Sequence, residues 1–473
     1  MANKNTVDIA MRRPLLLAGI LLTGCATYHP QPITLTHLAR HFEDRSLASD
    51  DLRTYLTRQL GHEIDPWPLP RWNREMLTLT AWYYSPALDV VRAQWGTAKA
   101  GIDVAAAIPN PVLQLPFQYA TPNPGPGSPF ITGPALDVPI ETAHKRGYRI
   151  DQATHLSEAA RLAIGNEAWK VRAQVRDTLI SLYAARQRTA FLSRKANAQQ
   201  QIVAMLRMRR SVGENSGPDV DAAVLAATQA QAELAAARSA AQDTLAQLAA
   251  AIGIPAAALN GVQLELDAFG TVAPAPPTAD ARREAVFHRA DLLASLAAYA
   301  AAESALQLEV AKQYPDIHFG PGYTYDTGTN KIAFGVAGIT LPIFDQNQGG
   351  IAQAQAKRKE AAARTMALQD AILNDLDHAL AHNQASIAAV RLSAEHLASA
   401  RRQLDSQAAS FAAGATDRLT FTQARADYQT SEIAHLDAVV AAQQAAGMLE
   451  DTLQRPLEPE AVNSTVTEQE ISR

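Results

Sequence analysis

The sequence is short of cysteine, of aromatic residues and of excess charge, and each shortage excludes something. A single cysteine in 473 residues rules out an internal disulfide and any thiolate metal cluster, so its position matters more than its number. Aromatics make up 6% of the chain while 47% is hydrophobic, much of it alanine, a balance that suits long close-packed helices better than one bulky core. A formal net charge of -5, with basic residues dispersed along helical stretches, leaves no electrostatic footprint for nucleic acid. Also missing is any apolar run of the roughly 20 residues that a transmembrane helix needs. Any crossing of a bilayer must then be made by β-strands. With 19% charged residues the chain is nonetheless too apolar to be disordered, and it is long enough for two or three domains.

The one cysteine is Cys25. It follows Arg12-Arg13, the apolar run from Leu15 to Leu22 and the small residues Thr23-Gly24, the layout of a signal peptide over residues 1–24, with Met1 or Met11 as its start. Leu22-Thr23-Gly24-Cys25 resembles a bacterial lipobox, which implies that Cys25 becomes the acylated first residue of a lipid-anchored segment, residues 25–73. Ala26, where a retention signal would place Asp, suits sorting to the outer membrane. The competing reading, a buried cysteine in a membrane helix, is too short by half.

The rest of the chain is one unit written twice. Pro86 falls on Ala290 and Pro111 on Pro315, both at an offset of 204; Pro139 falls on Pro342 at 203 and Gly213 on Gly414 at 201. The repeats span residues 74–269 and 281–455, joined by a Pro-rich linker at 270–280 and followed by a tail at 456–473. Each reads as helix, strand pair, very long helix, turn, long helix. Asp151 to Val212 contains no proline and Ile351 to Ala413 neither proline nor glycine, so nothing in the backbone stops a helix there. Partner helices are expected at Asp219–Ile252 and Leu419–Leu453. The second long run carries a heptad seam, Leu373, Leu376, Leu380, Asn383, Ile387, Val390, Ala394, Leu397, Arg401, Leu404, Ala408 and Phe411, with Asn383 and Arg401 its polar interruptions.

Between the helices, Ile317, Phe319, Tyr323 and Tyr325 alternate with His318, Gly320, Gly322 and Thr324. After a turn at 326–330, Ile332, Phe334 and Val336 resume the alternation. Leu113, Leu115, Phe117 and Tyr119 open the matching pair of the first repeat, before a loop at Pro122–Pro129. Strands of 10 to 14 residues with apolar-out, polar-in alternation suit a barrel wall, where roughly 9–11 residues cross the membrane; a soluble hairpin is the plain alternative. Four strands cannot close a barrel, since known ones start at about 8, so closure needs several copies.

Several motifs, at matching places in both repeats, resemble those of the TolC-type outer-membrane efflux channels over about residues 74–455. Ser85-Pro86-Ala87-Leu88 and Arg289-Ala290-Asp291-Leu292 are similar to the family's repeat openings. Val138-Pro139-Ile140-Glu141 with Lys145-Arg146-Gly147, and Leu341-Pro342-Ile343-Phe344-Asp345-Gln346-Asn347-Gln348-Gly349, are similar to its strand exits. The resemblance implies a mainly α fold with a membrane β-barrel portion: a homotrimer whose twelve strands close one barrel, continued by an α-helical barrel into the periplasm. It implies outer-membrane lipid around the barrel, a periplasmic adaptor and an inner-membrane pump as partners, and no cofactor. Gly213 and Gly414 match the turns that meet the adaptor, although a plain helix-capping glycine reads the same. Two aspartates usual just after the second turn are Thr420 and Gln423 here; Asp219 fits the family's aspartate after the first turn, although it equally suits a helix start after Pro218, and Glu214, Asp221 and Asp417 keep the tip acidic. The strand-exit motifs look closest to heavy-metal efflux members.

Rival readings find less support. Asp375, His378 and His382 lie on one helical face at metal-ligand spacing, but no third His or Cys is near and no His-Glu-x-x-His glutamate follows His378, so a solvated face accounts for them. The Gly pairs at 320–322 and 349–350 lack a phosphate loop's Lys-Ser/Thr, and no Gly-x-Ser-x-Gly occurs. A structural periplasmic coiled-coil lipoprotein would not need the paired amphipathic strands. A secretion or drug-efflux duct remains open beside metal efflux.

Overall fold

The computed structural model describes residues 27–121, 128–272 and 278–457. Cys25, the core of the 122–129 loop, the centre of the linker and the tail beyond 457 lie outside them. The described residues form two compact units, one ending at Arg45 and the other beginning at Ser46. In the first, Thr34 caps helix α1 (Leu35–Glu43) by accepting the His37 N–H, and Leu35, Leu38 and Phe42 form an exposed apolar stripe.

The second unit is organised by two helices of 67 and 65 residues, α5 (Lys145–Ser211) and α9 (Gln348–Ala412), each about 100 Å long. They start a few residues before the expected points because neither Gly147 nor the Gly349-Gly350 pair breaks the first turn. Both end in the same way. The Gly213 and Glu214 N–H groups return to Arg210 and Arg209, and those of Gly414 and Ala415 to Phe411 and Ser410, which satisfies the last carbonyls and requires the positive φ of +85° and +73° that glycine adopts freely. The chain turns back into α6 (Gly217–Ile252), capped by Ser216 with Pro218 in its first turn, and α10 (Arg418–Leu453), capped by Asp417. Within the wall α9 packs on α10, α10 on α5 and α5 on α6, so α6 and α9 stand at the flanks.

Shorter helices complete each repeat: α2 (Asp50–Leu60), α3 (Arg74–Tyr84) and α4 (Pro86–Ala106) before α5, and α7 (Thr278–Phe287) and α8 (Ala290–Ala311) before α9. Ser85-Pro86 is a cap followed by proline at the first helical position, the physical content of that motif. The first repeat's core joins Leu52, Leu56, Leu77, Leu88, Ile164, Val175, Leu179, Leu248 and Ile252. The second repeat's core, Ala281, Ala285, Leu292, Ile372, Leu376, Leu449 and Leu453, is smaller. The asymmetry has a cause that the sequence reading missed. Residues 46–72 are part of the core and more than a tether, since Leu47, Leu52, Tyr55, Leu56, Ile64 and Trp72 are all buried. Strand β1 (Arg71–Trp72) pairs in parallel with β6 (Gln263–Leu264), clamping this segment to the end of the repeat.

The heptad seam holds in part. Leu376, Leu380 and Asn383 are buried, Ile387, Val390, Leu397 and Leu404 half-buried, while Ala394 and Arg401 are exposed. Arg401 lies 5.6 Å over the Tyr428 ring and pairs with Asp405, so it borders the seam instead of interrupting it. Asn383 is the true interruption: it is fully buried, and its amide atoms find no hydrogen-bond partner among the described residues.

The expected uninterrupted strands are broken. β2 (Val112–Gln114) and β3 (Phe117–Tyr119) are separated at Pro116, β4 (Phe130–Thr132) and β5 (Ala135–Ile140) at Gly133-Pro134, β7 (Ile317–Phe319) and β8 (Gly322–Asp326) at Gly320-Pro321, and β9 (Thr329–Ala333) and β10 (Val336–Ile339) at Phe334-Gly335. Proline has no N–H for a ladder, so three of the four breaks fall where one stands. The pieces still make four antiparallel crossings: β2/β3 pairs with β4/β5, that with β7/β8, and that with β9/β10. Thr327-Gly328, both with positive φ, make the tight turn between the last two crossings.

Candidate functional site

The sheet presents two open edges. β2/β3 forms one and β9/β10 the other, and they run in opposite directions because three antiparallel steps separate them. Both edges carry exposed apolar side chains: Leu113, Leu115, Phe117 and Tyr119 on one, Ile332, Phe334, Val336 and Ile339 on the other. An edge of that kind exposes unpaired N–H and C=O groups beside greasy surface, an arrangement that invites another strand.

Where strand passes into long helix, the two repeats use one device. His144 and Asn347 cap α5 and α9 with φ of 62° and 61°, and three residues later a glycine leaves room for the cap's side chain: a Cβ at Gly147 would lie 2.0 Å from His144 Nε2, and one at Gly350 2.3 Å from Asn347 Oδ1. Lys145 donates to the Tyr314 carbonyl and to Asp316, and Asn347 to Glu309, so the first strand exit is tied to the connection between α8 and β7 and the second to α8 itself. The motifs quoted for these segments are therefore corners.

At the waist a buried ion cluster joins the repeats. Arg172 and Arg176 on α5 reach Glu450 on α10 at 3.0 and 3.3 Å, and Arg176 also reaches Asp451 at 2.7 Å and Asp177 at 2.9 Å. Arg172 stacks on Trp169. Burial pushes the Glu450 carboxyl up, but the Arg172 guanidinium, the Leu457 N–H and Arg176 outweigh it and hold it below the ordinary carboxylate range. Gly447 on α10 makes the approach possible, since a Cβ there would stand 2.6 Å from Arg176 Nε. None of these residues was singled out from sequence. The available signal was Arg172 and Arg176 standing one turn apart among Val171, Val175 and Leu179.

At the far end, Gly213 and Gly414 sit at the outer turns of the two hairpins, exposed, with open space where a side chain would go. Glu214 is exposed beside Gly213. Asp219 is engaged in a capping box with Ser216, whose hydroxyl and backbone N–H hold its carboxyl below the ordinary value. Asp417 accepts the Thr420 N–H and pairs with Arg209 of α5, and these contacts pull its carboxyl down to about 2. The last pairing ties the two hairpins together. Asp375, His378 and His382 are exposed on α9, and among the described residues no three His, Cys, Asp or Glu side chains converge as metal ligands. Among the same residues no helix is long and apolar enough to cross a membrane.

A wall of very long helices continued by a four-stranded sheet with two open, apolar edges has the form of one segment of an assembled duct. The chain belongs to the outer membrane efflux protein family, whose profile matches residues 81–254 and 281–453, close to the two repeats. It is 26% identical over 373 residues to the cobalt-zinc-cadmium resistance protein CzcC of Cupriavidus metallidurans, covering 78% of this chain and 86% of that one. Its fold is that of the outer membrane protein VceC of Vibrio cholerae, with a TM-score of 0.67 at 19% identity over 81% of this chain and 97% of that one. It is likewise that of the Campylobacter jejuni CmeC outer membrane channel, with a TM-score of 0.66 at 12% identity over 96% and 98%.

Proposed function

We propose that the chain is the outer-membrane exit duct of a tripartite efflux machine, working as a homotrimer with a periplasmic adaptor and an inner-membrane pump. The observation that carries this is the pair of open, apolar, oppositely directed sheet edges. Identical copies placed edge to edge pair antiparallel all the way round. Two copies would give about 8 strands, whose interior side chains fill; three give twelve, the smallest ring here that leaves a bore. The same closure brings flank helix α6 of one copy against α9 of the next, continuing the bore below the membrane. The role in cobalt, zinc and cadmium resistance that names its relative CzcC supports heavy-metal cations as the cargo. In a strain lacking its own outer duct, this chain expressed with the pump and adaptor that accompany it should lower cellular zinc and cobalt. Restored tolerance to organic drugs alone would assign it to drug efflux instead.

Acylation of Cys25 supplies the anchor. Mass spectrometry of membrane-extracted protein should find a lipid-modified peptide beginning at Cys25, and an unmodified peptide spanning Gly24-Cys25 in mature protein would refute it. Cys25→Ser should release the anchor and leave the fold intact.

The tips at Gly213 and Gly414 are the adaptor's docking surface, with Glu214 the acidic group there whose charge is not spent on a cap, and Asp219 and Asp417 structural as well as acidic. Gly213→Trp and Gly414→Trp should abolish efflux at normal trimer levels. Gly→Asn at either site tolerates the same positive φ and should retain most of it. Leu397→Asp, in the seam, should instead lower trimer abundance itself. Unchanged efflux in both tryptophan variants would remove the tip as the docking surface.

A further inference from the structure

The twelve histidines include two pairs at i,i+4: His37/His41 on α1 and His378/His382 on α9. In the second pair the rings stack at 6.2 Å with planes 24° apart, and neither ring has a hydrogen-bond or ion-pair partner among the described residues. Asp375, one turn earlier on the same face, is likewise exposed and unpaired there, whereas neighbouring Asp377 is spent on Arg282. At about 100° per residue, Asp375, His378 and His382 project from the side of α9 opposite Leu376 and Leu380, which pack against Ala281 and Ala285 of α7. Asp375 and His378 share a crevice of about 660 Å³ with Arg176, Asp177 and Asp451, so they look across the wall face that α7 does not cover. The two arginines bordering that crevice, Arg176 and Arg289, are neutralised by Asp177, Glu450 and Asp451 and by Asp291.

We propose that His378 and His382 form a two-imidazole site for a divalent transition-metal cation on the bore face of the duct, with Asp375 as a third donor or as acceptor for a metal-bound water. Its place in the bore rests on the trimeric duct reading. Unprotonated imidazoles one helical turn apart offer borderline-soft nitrogen donors that suit Zn²⁺, Co²⁺ or Cu²⁺ and not the hard cations Mg²⁺ and Ca²⁺. Because no three donors are preassembled, water fills the remaining positions and the ion exchanges rapidly, as a contact made in transit requires. Three copies would set six imidazoles around one level of the bore.

The test is zinc titration, by calorimetry, of the full chain purified in detergent, in a His37→Ala/His41→Ala background that removes the other pair. The expected result is one zinc per chain at pH 7.5 and no comparable heat from magnesium. Adding His378→Ala/His382→Ala should abolish that binding with trimer abundance unchanged, and His378→Ala alone should weaken it at least tenfold. Zinc binding that survives loss of the pair, or its absence from the background protein, overturns the site and leaves the duct untouched. A wild-type chain that fails to lower cellular zinc beside its own pump overturns metal cargo instead, whatever the titration gives.

Discussion

Arg176→Leu is expected to cost the folded chain about 3–5 kcal/mol. Glu450 and Arg176 are 5% and 3% exposed, and the carboxylate has Arg172 and Arg176 as its charged partners in the cluster. Deleting one guanidinium leaves a buried negative charge under-compensated, takes the cation from Asp177 and leaves Asp451 only the Trp169 N–H among the described partners in the cluster. Glu450→Gln added to Arg176→Leu removes that charge and should regain part of the loss, an outcome that a simple cavity would not produce. The pH dependence has a definite sign. The Glu450 carboxyl is held below its ordinary range in the fold, so its contribution is present above the unfolded carboxylate value of about 4.3 and disappears as pH falls through the lower folded value. Urea unfolding of both proteins should show the wild-type advantage shrinking below about pH 4. An advantage that grows in acid would contradict the assignment. The cluster joins α5 of the first repeat to α10 of the second, so the variant should also loosen the seam between repeats, read as faster hydrogen exchange there.

In the sheet, Gly133→Val should abolish trimer assembly. A Cβ at Gly133 would stand 1.9 Å from the Tyr323 carbonyl oxygen and 2.8 Å from the Thr324 Cα, both backbone atoms that cannot rotate away. Relief requires β4/β5 to separate from β7/β8, which sacrifices the Leu136 to Pro321 and Tyr323 to Pro134 hydrogen bonds at 2.9 Å that bridge the breaks. Gly96→Val is the control. It lies exposed on α4, outside the sheet, with nothing within 4 Å of the added carbon, and should assemble at near wild-type level. Heat-resistant trimer on gels measures both, and equal assembly of the two variants would show that the Gly133 approach is not needed.

Much of the architecture was legible because it is written in backbone chemistry. Proline-free stretches marked α5 and α9 to within a few residues, Gly213 and Gly414 marked their ends, and Ser85-Pro86 and Pro218 marked helix starts. What was not legible depends on contacts far apart in sequence. Arg172 and Arg176 look like ordinary solvated charges until Glu450, 278 and 274 residues away, is folded against them. Residues 46–72 look like a tether because their apolar positions are few, and only pairing with 263–264 brings them into the core. The strand breaks were readable from Pro116, Pro134 and Pro321 but were overridden by an alternation that continues across them. Arg401 sits at a seam position by count yet stays exposed, lying over the Tyr428 ring and paired with Asp405 on its own helix.

Native mass spectrometry of the detergent-extracted, full-length chain tests the trimeric duct most directly. A single dominant species of three chains is the expected result, since four crossings with two open edges close only by pairing with copies. A stable, folded monomer that retains its strands would contradict it.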